Sequence, residues 1–549
     1  MGPYGFKDTS KMRSTRTGTR VPQLSADQAI ELVPSGATVA ICGAGGGVVE
    51  PTALIQALVR RFEASGQPRD LTFYHSTGMG DRAERGMSVL ARPGLVRRAI
   101  GGHWAQSPRL AEMAQDNRIE AYNLPQGVMS QLLRAAAARQ PGILTHVGLG
   151  TFIDPRQTGG KLNEITREDI VQVMAVDGRE YLFYRAIPID VAFIRGTTAD
   201  ADGYVSMEDE ICYLDNLAMA QAAHNNGGIV ICQVEKVVRA RSLHQRSVRI
   251  PGFLVDALVV VPEQTQLYTG TSRFFSGDFI MEEGDAAPLP LTERKLVARR
   301  ALMEIGPGDV GNVGVGIADG IGVVAREEGV NEDFTLTVET GAVGGVGAQG
   351  IFFGATVNMQ ALMDMPSQFD FYDGGGLNAS FLSFAEFDRF GNVNVHRFNG
   401  RIVGTGGFIE ISQNSRKVVF CGTLTAGGLK VSFTDGKLNI EQEGKFRKLV
   451  AEVPEITFNG ADAARRGQEV VFITERAVFR LTPDGVELSE VAPGIDIRRD
   501  ILAHMEFTPR MAATVKTMDA RLFRTGIMGI GEEWRNRQTH PEIQTHQEK

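Results

Sequence analysis

An α/β fold of two tandem, related domains, with mostly parallel sheets and flanking helices, is the architecture this sequence predicts. Length is the first reason: 549 residues exceed what one hydrophobic core ordinarily supports, and two domains of roughly 250 residues each are the expected outcome. Alternation is the second. Short apolar runs suited to buried strands are separated by stretches with helical spacing, the pattern that builds parallel sheets covered by helices. The third is an internal repeat. Residues 35–46 and 308–320 each run a short apolar strand into a glycine loop and then a helix-like segment. Leu71-Thr72-Phe73-Tyr74-His75-Ser76-Thr77-Gly78 is echoed by the passage ending Thr337-Val338-Glu339-Thr340-Gly341, and Asp200-Ala201-Asp202-Gly203 by Asp388-Arg389-Phe390-Gly391.

Taken along the chain, residues 1–20 are basic and polar and are expected to be a mobile N-terminal segment. The first domain is assigned to 21–285. Within it a helix is expected over 216–224 and a strand over 229–234. Between 282 and 290 the hydrophobic periodicity lapses and Pro288 and Pro290 stiffen an exposed connection, so the joint is placed there. The second domain is assigned to 291–530, opening at Thr292 with an amphipathic helix whose apolar side includes Leu296, Val297, Ala301 and Met303. Residues 531–549 are expected to form a mobile tail.

Composition narrows the function. The formal net charge is −8, which carries no basic field for nucleic acid. No run approaches the length of a membrane span. The N-terminus lacks the apolar core of a secretory signal and the Ser or Thr of a myristoylation site. Cys42, Cys212, Cys232 and Cys421 lie far apart with no CxxC and no His pair at ligand spacing, which suits buried reduced thiols in a cytoplasmic protein. His75 and His103 have no metal-ligand partners in sequence and are read as structural or loop residues.

Chemistry concentrates at Glu339, one carboxylate at the end of a strand-like run and facing a glycine-rich loop; its twin position in the first half is Ser76. By itself such a glutamate also suits a surface or capping role. The loop Gly43-Ala44-Gly45-Gly46-Gly47 either presents amides to a phosphate or lets backbone approach backbone. It does not complete GxGxxG, because position 48 is Val, and there is no GxxxxGK[ST].

Glu339-Thr340-Gly341, Gln368-Phe369-Asp370-Phe371-Tyr372-Asp373-Gly374-Gly375-Gly376 and Gly404-Thr405-Gly406-Gly407-Phe408 together resemble the class I coenzyme A transferases, specifically the single-chain short-chain acyl-CoA:acetate, 3-ketoacid or propionate CoA-transferases. Asn123-Leu124-Pro125-Gln126-Gly127 and residues 148–156 and 251–257 extend the resemblance to nearly the whole chain, from about Val21 to about Ile527. The resemblance implies fused α-like and β-like subunits, with Glu339 as nucleophile in the β-like half. It also implies an oxyanion or acyl contact from Gly406, Gly407 and Gln126, and CoA contacts from Gly374, Gly375, Gly376 and Lys430. For the three glycines a turn without ligand contact stays open, as does a solvated side chain for Lys430. The implied substrates are acyl-CoA and small carboxylic acids, with CoA a substrate and no metal or other cofactor. A homo-oligomer, dimer or tetramer, is expected. A thioesterase on the same scaffold and a dinucleotide-binding oxidoreductase using Gly43–Gly47 are the alternatives.

Overall fold

The computed structural model describes residues 20–282 and 288–539, with side chains to 536. The expected mobile segment up to residue 19 and the linker residues 283–287 lie outside the described residues. The first half holds an eight-stranded sheet in the order Gln23–Leu24, Ala257–Val260, Ile229–Val234, Val191–Arg195, Thr38–Ile41, Leu71–His75, Val96–Gly101, Glu120–Asn123. Every neighbouring pair in it is parallel.

The second half repeats the central five strands. Thr335–Thr337, Val310–Val313, Ala379–Ser383, Lys417–Cys421 and Glu469–Ile473 are joined in parallel in that order, and short antiparallel strands extend both edges. The sheets are therefore mostly parallel, as the alternation predicts. The helix expected at 216–224 is Asn216–Asn225, the strand is Ile229–Val234, and Thr292 caps the helix Glu293–Leu302 by accepting from the Lys295 amide.

The repeat reaches individual hydrogen bonds. Asp200 Oδ1 accepts from the amides of Asp202 and Tyr204, and Asp388 Oδ1 accepts from those of Phe390 and Asn392. Each closes a tight turn on a glycine at positive φ, Gly203 and Gly391, a conformation glycine reaches without a Cβ penalty.

Side chains along each strand alternate between two faces. In the strand Leu71–His75, Leu71 and Phe73 face an outer core with Leu54, Leu58 and Phe193, whereas Tyr74 faces a central core. That central core is common to both halves, with Val128, Met129 and Leu133 beside Phe369, Tyr372, Phe420 and Phe472. The helices Gln126–Ala137 and Met365–Asp373 meet inside it.

The expected C-terminal tail requires correction. Ile530–Thr539 is a helix whose Trp534 is 8% exposed and meets Phe334 edge to face at 6.0 Å. The Glu328 carboxylate accepts the amides of Met528, Gly529 and Ile530 at its start. The polar run after Gly531 shows no apolar period because a single tryptophan supplies the anchor. Residues 540–549 lie outside the described residues.

At the first-half twin of Glu339, Ser76 Oγ donates to Asp215 Oδ2 at 2.6 Å, and Cys42 Sγ lies 3.8 Å from Asp215 Oδ1. All three are buried, and burial raises the Asp215 pKa. Ser76→Ala removes the hydroxyl donor and leaves that carboxyl with its own backbone amide and a weak thiol, so a stability loss of about 1–3 kcal/mol is expected in denaturant unfolding. An unchanged unfolding curve would contradict this account of Ser76.

Candidate active site

Two residues beyond the strand Thr335–Thr337 the chain turns at Glu339-Thr340-Gly341. Gly341 has φ +116, and a β-carbon there would collide with the Met363 carbonyl. Thr340 Oγ1 donates to the Gly354 carbonyl at 2.8 Å, which accounts for the hydroxyl in the middle of this motif. The turn projects the Glu339 side chain between the halves. Its carboxylate is surrounded by protein yet keeps some accessible surface because it faces two clefts, so a surface or capping role does not apply.

The Gly407 N–H and the Gln126 side chain face that carboxylate and act to lower its pKa, while Gln126 Nε2 also lies 3.5 Å from Met365 Sδ. Desolvation outweighs both donors and pushes its pKa up to about 7. Gly407 precedes the helix Phe408–Asn414, and a β-carbon on it would lie 2.6 Å from Glu339 Oε2 and 2.8 Å from Phe369 Cζ. Only glycine lets the carboxylate approach this amide.

Gly406 acts differently from its neighbour. Its N–H is already donated to the Gly102 carbonyl at 2.8 Å, and its own carbonyl accepts the Gln126 amide at 3.0 Å. Of the two glycines expected at the oxyanion, only Gly407 directs its N–H to Glu339.

The clefts differ in character. One, the more polar of the two, is lined by Gly45 and Gly46 of the first glycine loop, with Arg82, Gln106 and Gln126 beside Val315, Ile351 and Phe353. The other, about 1130 Å³ with its open mouth, is lined by Leu382, Phe384, Phe398, Phe408 and Lys448. Glu339 and His103 stand in the wall of both. His103 is half-buried and its pKa is lowered to about 4, chiefly by desolvation, so the imidazole is neutral. Lys448, 7% exposed, sits with Nζ 4.1 Å from the centre of the Phe384 ring, and burial lowers its pKa to about 8. Nothing in sequence spacing singles out His103 or Lys448, since each meets Glu339 only through the fold.

Three expected CoA contacts lie elsewhere. Gly374, Gly375 and Gly376 end the helix Met365–Asp373, their amides donating to the carbonyls of Asp370, Tyr372 and Phe371. They line neither cleft beside Glu339, and their amides are taken up in ending the helix. Lys430 is exposed on the hairpin of Lys430–Thr434 with Lys437–Gln442 and also lines neither cleft. In the first glycine loop, a β-carbon at Gly46 would collide with the Ile351 carbonyl and one at Gly47 would lie 2.7 Å from the Tyr268 ring. Close backbone approach therefore accounts for this loop.

Doubly wound halves, a shared core and a buried glutamate between them define an acyl- or group-transferring α/β enzyme, and comparison supplies the family. Residues 23–261 match the family described as Coenzyme A transferase. The chain is 58% identical over 521 residues to the acetate CoA-transferase YdiF of Escherichia coli strain K12, covering 94% of this chain and 98% of the relative. It is 42% identical over 510 residues to the caffeate CoA-transferase of Acetobacterium woodii, covering 91% and 97%. The crystal structure of the acyl-CoA transferase YdiF from E. coli O157:H7 in a thioester complex with CoA matches with a TM-score of 0.90 at 56% identity, over 94% of this chain and 98% of that one. This chain belongs to the single-chain class I coenzyme A transferases. The oxidoreductase reading of Gly43–Gly47 falls with that assignment. Among the described residues no helix is long and apolar enough to cross a membrane.

The raised pKa of Glu339 has a definite sign in stability. The folded state retains the proton between about 4.5 and about 7, so stability declines as pH rises through that window. Glu339→Gln removes the buried charge and is expected to exceed wild type in stability by on the order of 1–3 kcal/mol at pH 8, with no gap below pH ~4.5. Thermal melts at the two pH values check this, and an equal gap at both would contradict it. The same protonation predicts that kcat/KM for the acyl-CoA half-reaction falls as pH drops through about 7.

Proposed function

We propose that this enzyme moves CoA between a short-chain acyl-CoA and a free carboxylic acid, such as acetate, propionate or a 3-oxo acid, by a ping-pong route through Glu339. The carrying observation is that one carboxylate forms the wall between a polar and an apolar cleft and is held by the Gly407 amide. The larger apolar cleft suits the pantetheine arm, and the polar one the acyl group and the incoming acid. An acetate CoA-transferase at 58% identity and a similar structure bearing a CoA thioester support the reading.

A glutamate oxygen attacks the thioester carbonyl. The C–S bond breaks, CoA leaves as thiolate, and an acyl-glutamyl anhydride remains. The thiolate then attacks Cδ of Glu339, and the acid departs as carboxylate with the bridging oxygen. The glutamyl-CoA thioester left behind is consumed by the same steps in reverse when a second carboxylate enters. Each addition places negative charge on a former carbonyl oxygen. As charge leaves the attacking carboxylate, the Gly407 N–H and the Gln126 amide, which hold it in the free enzyme, become donors for the new oxyanion. The glutamate and the substrates balance every step without a further cofactor. Interception of the glutamyl-CoA thioester by water would give a thioesterase, which transfer of CoA to free acetate distinguishes. The acidic charge and four unpaired buried cysteines support a cytoplasmic setting, and we place the chain in a homo-oligomer.

Glu339→Ala is expected to leave less than about a thousandth of wild-type transfer, and Glu339→Asp, one methylene short, to be severely impaired. Double-reciprocal plots should be parallel. Acyl-CoA without acceptor, followed by borohydride, should inactivate the wild type with the mass change on the peptide holding Glu339. Intersecting lines with no trapped adduct would overturn the covalent route.

Gly407→Ala places a methyl against the carboxylate and is expected to lower kcat by about 100–1000-fold with little change in CoA affinity. Equal losses in both would show that Gly407 shapes the CoA cleft instead.

A further inference from the structure

The segment 403–407 belongs to the second half, yet first-half groups take up its backbone. The Val403 carbonyl accepts the amides of Trp104 and Ala105, the Gly406 amide donates to the Gly102 carbonyl, and the Gly406 carbonyl accepts the Gln126 amide. One side chain completes the seam. Asn123, at the end of the strand Glu120–Asn123 and fully buried, donates from Nδ2 to the carbonyls of Gly101 and Gly102 at 2.9 and 2.6 Å. Its Oδ1 lies 3.1 Å from the Thr405 amide and 3.0 Å from His396 Nδ1.

The donor inventory fixes this arrangement. A backbone N–H can only donate, so Oδ1 faces Thr405; two carbonyls can only accept, so Nδ2 faces Gly101 and Gly102. His396 Nδ1 must then carry a hydrogen toward Asn123. The imidazole is fixed further by stacking on Phe152 at 3.9 Å, with its Nε2 3.0 Å from Glu455 Oε2, and the His396 carbonyl accepts the amides of Val403 and Gly404. Asn123 thus grips both the carbonyl that anchors Gly406 and the amide two residues before Gly407.

We propose that Asn123 is a positioning residue of the transfer reaction, acting through the 403–407 turn to aim the Gly407 amide at the reacting oxygen. This rests on the covalent reading of Glu339. Asn123 itself lines neither cleft, so its influence on rate passes through the 403–407 turn, whose Thr405 amide it holds. A carboxamide is needed because the site requires two donors and an acceptor on one rigid plane. Asn123→Asp keeps shape and acceptors and turns an oxygen toward two carbonyls.

The test measures single-turnover formation of the borohydride-trappable adduct and equilibrium CoA affinity for wild type, Asn123→Asp, Gly407→Ala and the double variant, each checked for a wild-type melting profile. Asn123→Ala supplies the same comparison where the aspartate variant does not fold. Wild-type adduct formation verifies the underlying reading first; its absence sinks that reading rather than the role of Asn123. The expected result is a loss of about 10–100-fold in adduct formation for Asn123→Asp, smaller than removal of the donor. CoA affinity should stay within about twofold. The double variant should be no slower than Gly407→Ala alone, because residues acting through one group are not additive. Multiplied losses in the double variant, a fall in CoA affinity matching the fall in rate, or a wild-type rate in a folded Asn123 variant would each overturn the assignment.

Discussion

The contact between the Gly407 amide and the Glu339 carboxylate sets the terms for the rest of this molecule. A carboxylate enclosed by protein carries a large desolvation penalty unless donors are aimed at it. Here the donors come from opposite halves, Gly407 from the second and Gln126 from the first. Neither half alone can build the site. The shared core around Phe369, Tyr372, Val128 and Met129 holds the two halves at the separation this contact requires.

The duplicated architecture shows how little separates an occupied site from its twin. At the first-half twin, the Met365 backbone amide from the second half donates to the Leu214 carbonyl at 3.0 Å, as the Gln126 backbone amide from the first half does to that of Gly406. Leu214 has φ +47 and Gly406 φ +55. The next residue begins a helix in both, Asp215 in one and Gly407 in the other. In the twin the carboxylate comes from the helix start and its donor from the strand end, through Ser76. In the active half these have changed places. A glycine at the helix start leaves room for a long acidic side chain from the strand, whereas aspartate there fills that room itself.

Around Glu339 burial moves three ionisable groups toward their neutral forms. Burial keeps His103 neutral and lowers the Lys448 pKa, and it raises that of Glu339. A nucleophile poised near neutrality is more basic than an exposed carboxylate, which strengthens its attack, and its charge is stabilised mainly by donors that the developing oxyanion can also use. Reactivity and modest stability at this point have the same physical origin.

Much of the architecture was legible in the residues. Strand-to-glycine-loop repeats, the Asp200 and Asp388 turns and the capped helix at Thr292 depend on local conformational preference, which side-chain type and spacing encode directly. Glu339 stood out because a glutamate among glycines at a strand end has few local uses, and the family resemblance of its neighbourhood gave it a role. The family resemblance implied CoA contacts for Gly374, Gly375 and Gly376 and left a turn open for them, because glycine composition does not distinguish a ligand-facing loop from a helix end. The local reading took His103 as a structural or loop residue, gave Asn123 no role of its own and passed over Lys448, whose surroundings arise from contacts made across hundreds of residues, and it missed the terminal helix anchored by Trp534. Sequence by itself determined the duplicated α/β fold, which rests on local pattern, and the family resemblance around Glu339 singled out that residue as the candidate nucleophile. Only the tertiary structure decided which amide faces that carboxylate, that Gly406 is engaged elsewhere and that two clefts meet at Glu339, because hydrogen-bond partners and desolvation are set by what the folded chain brings together.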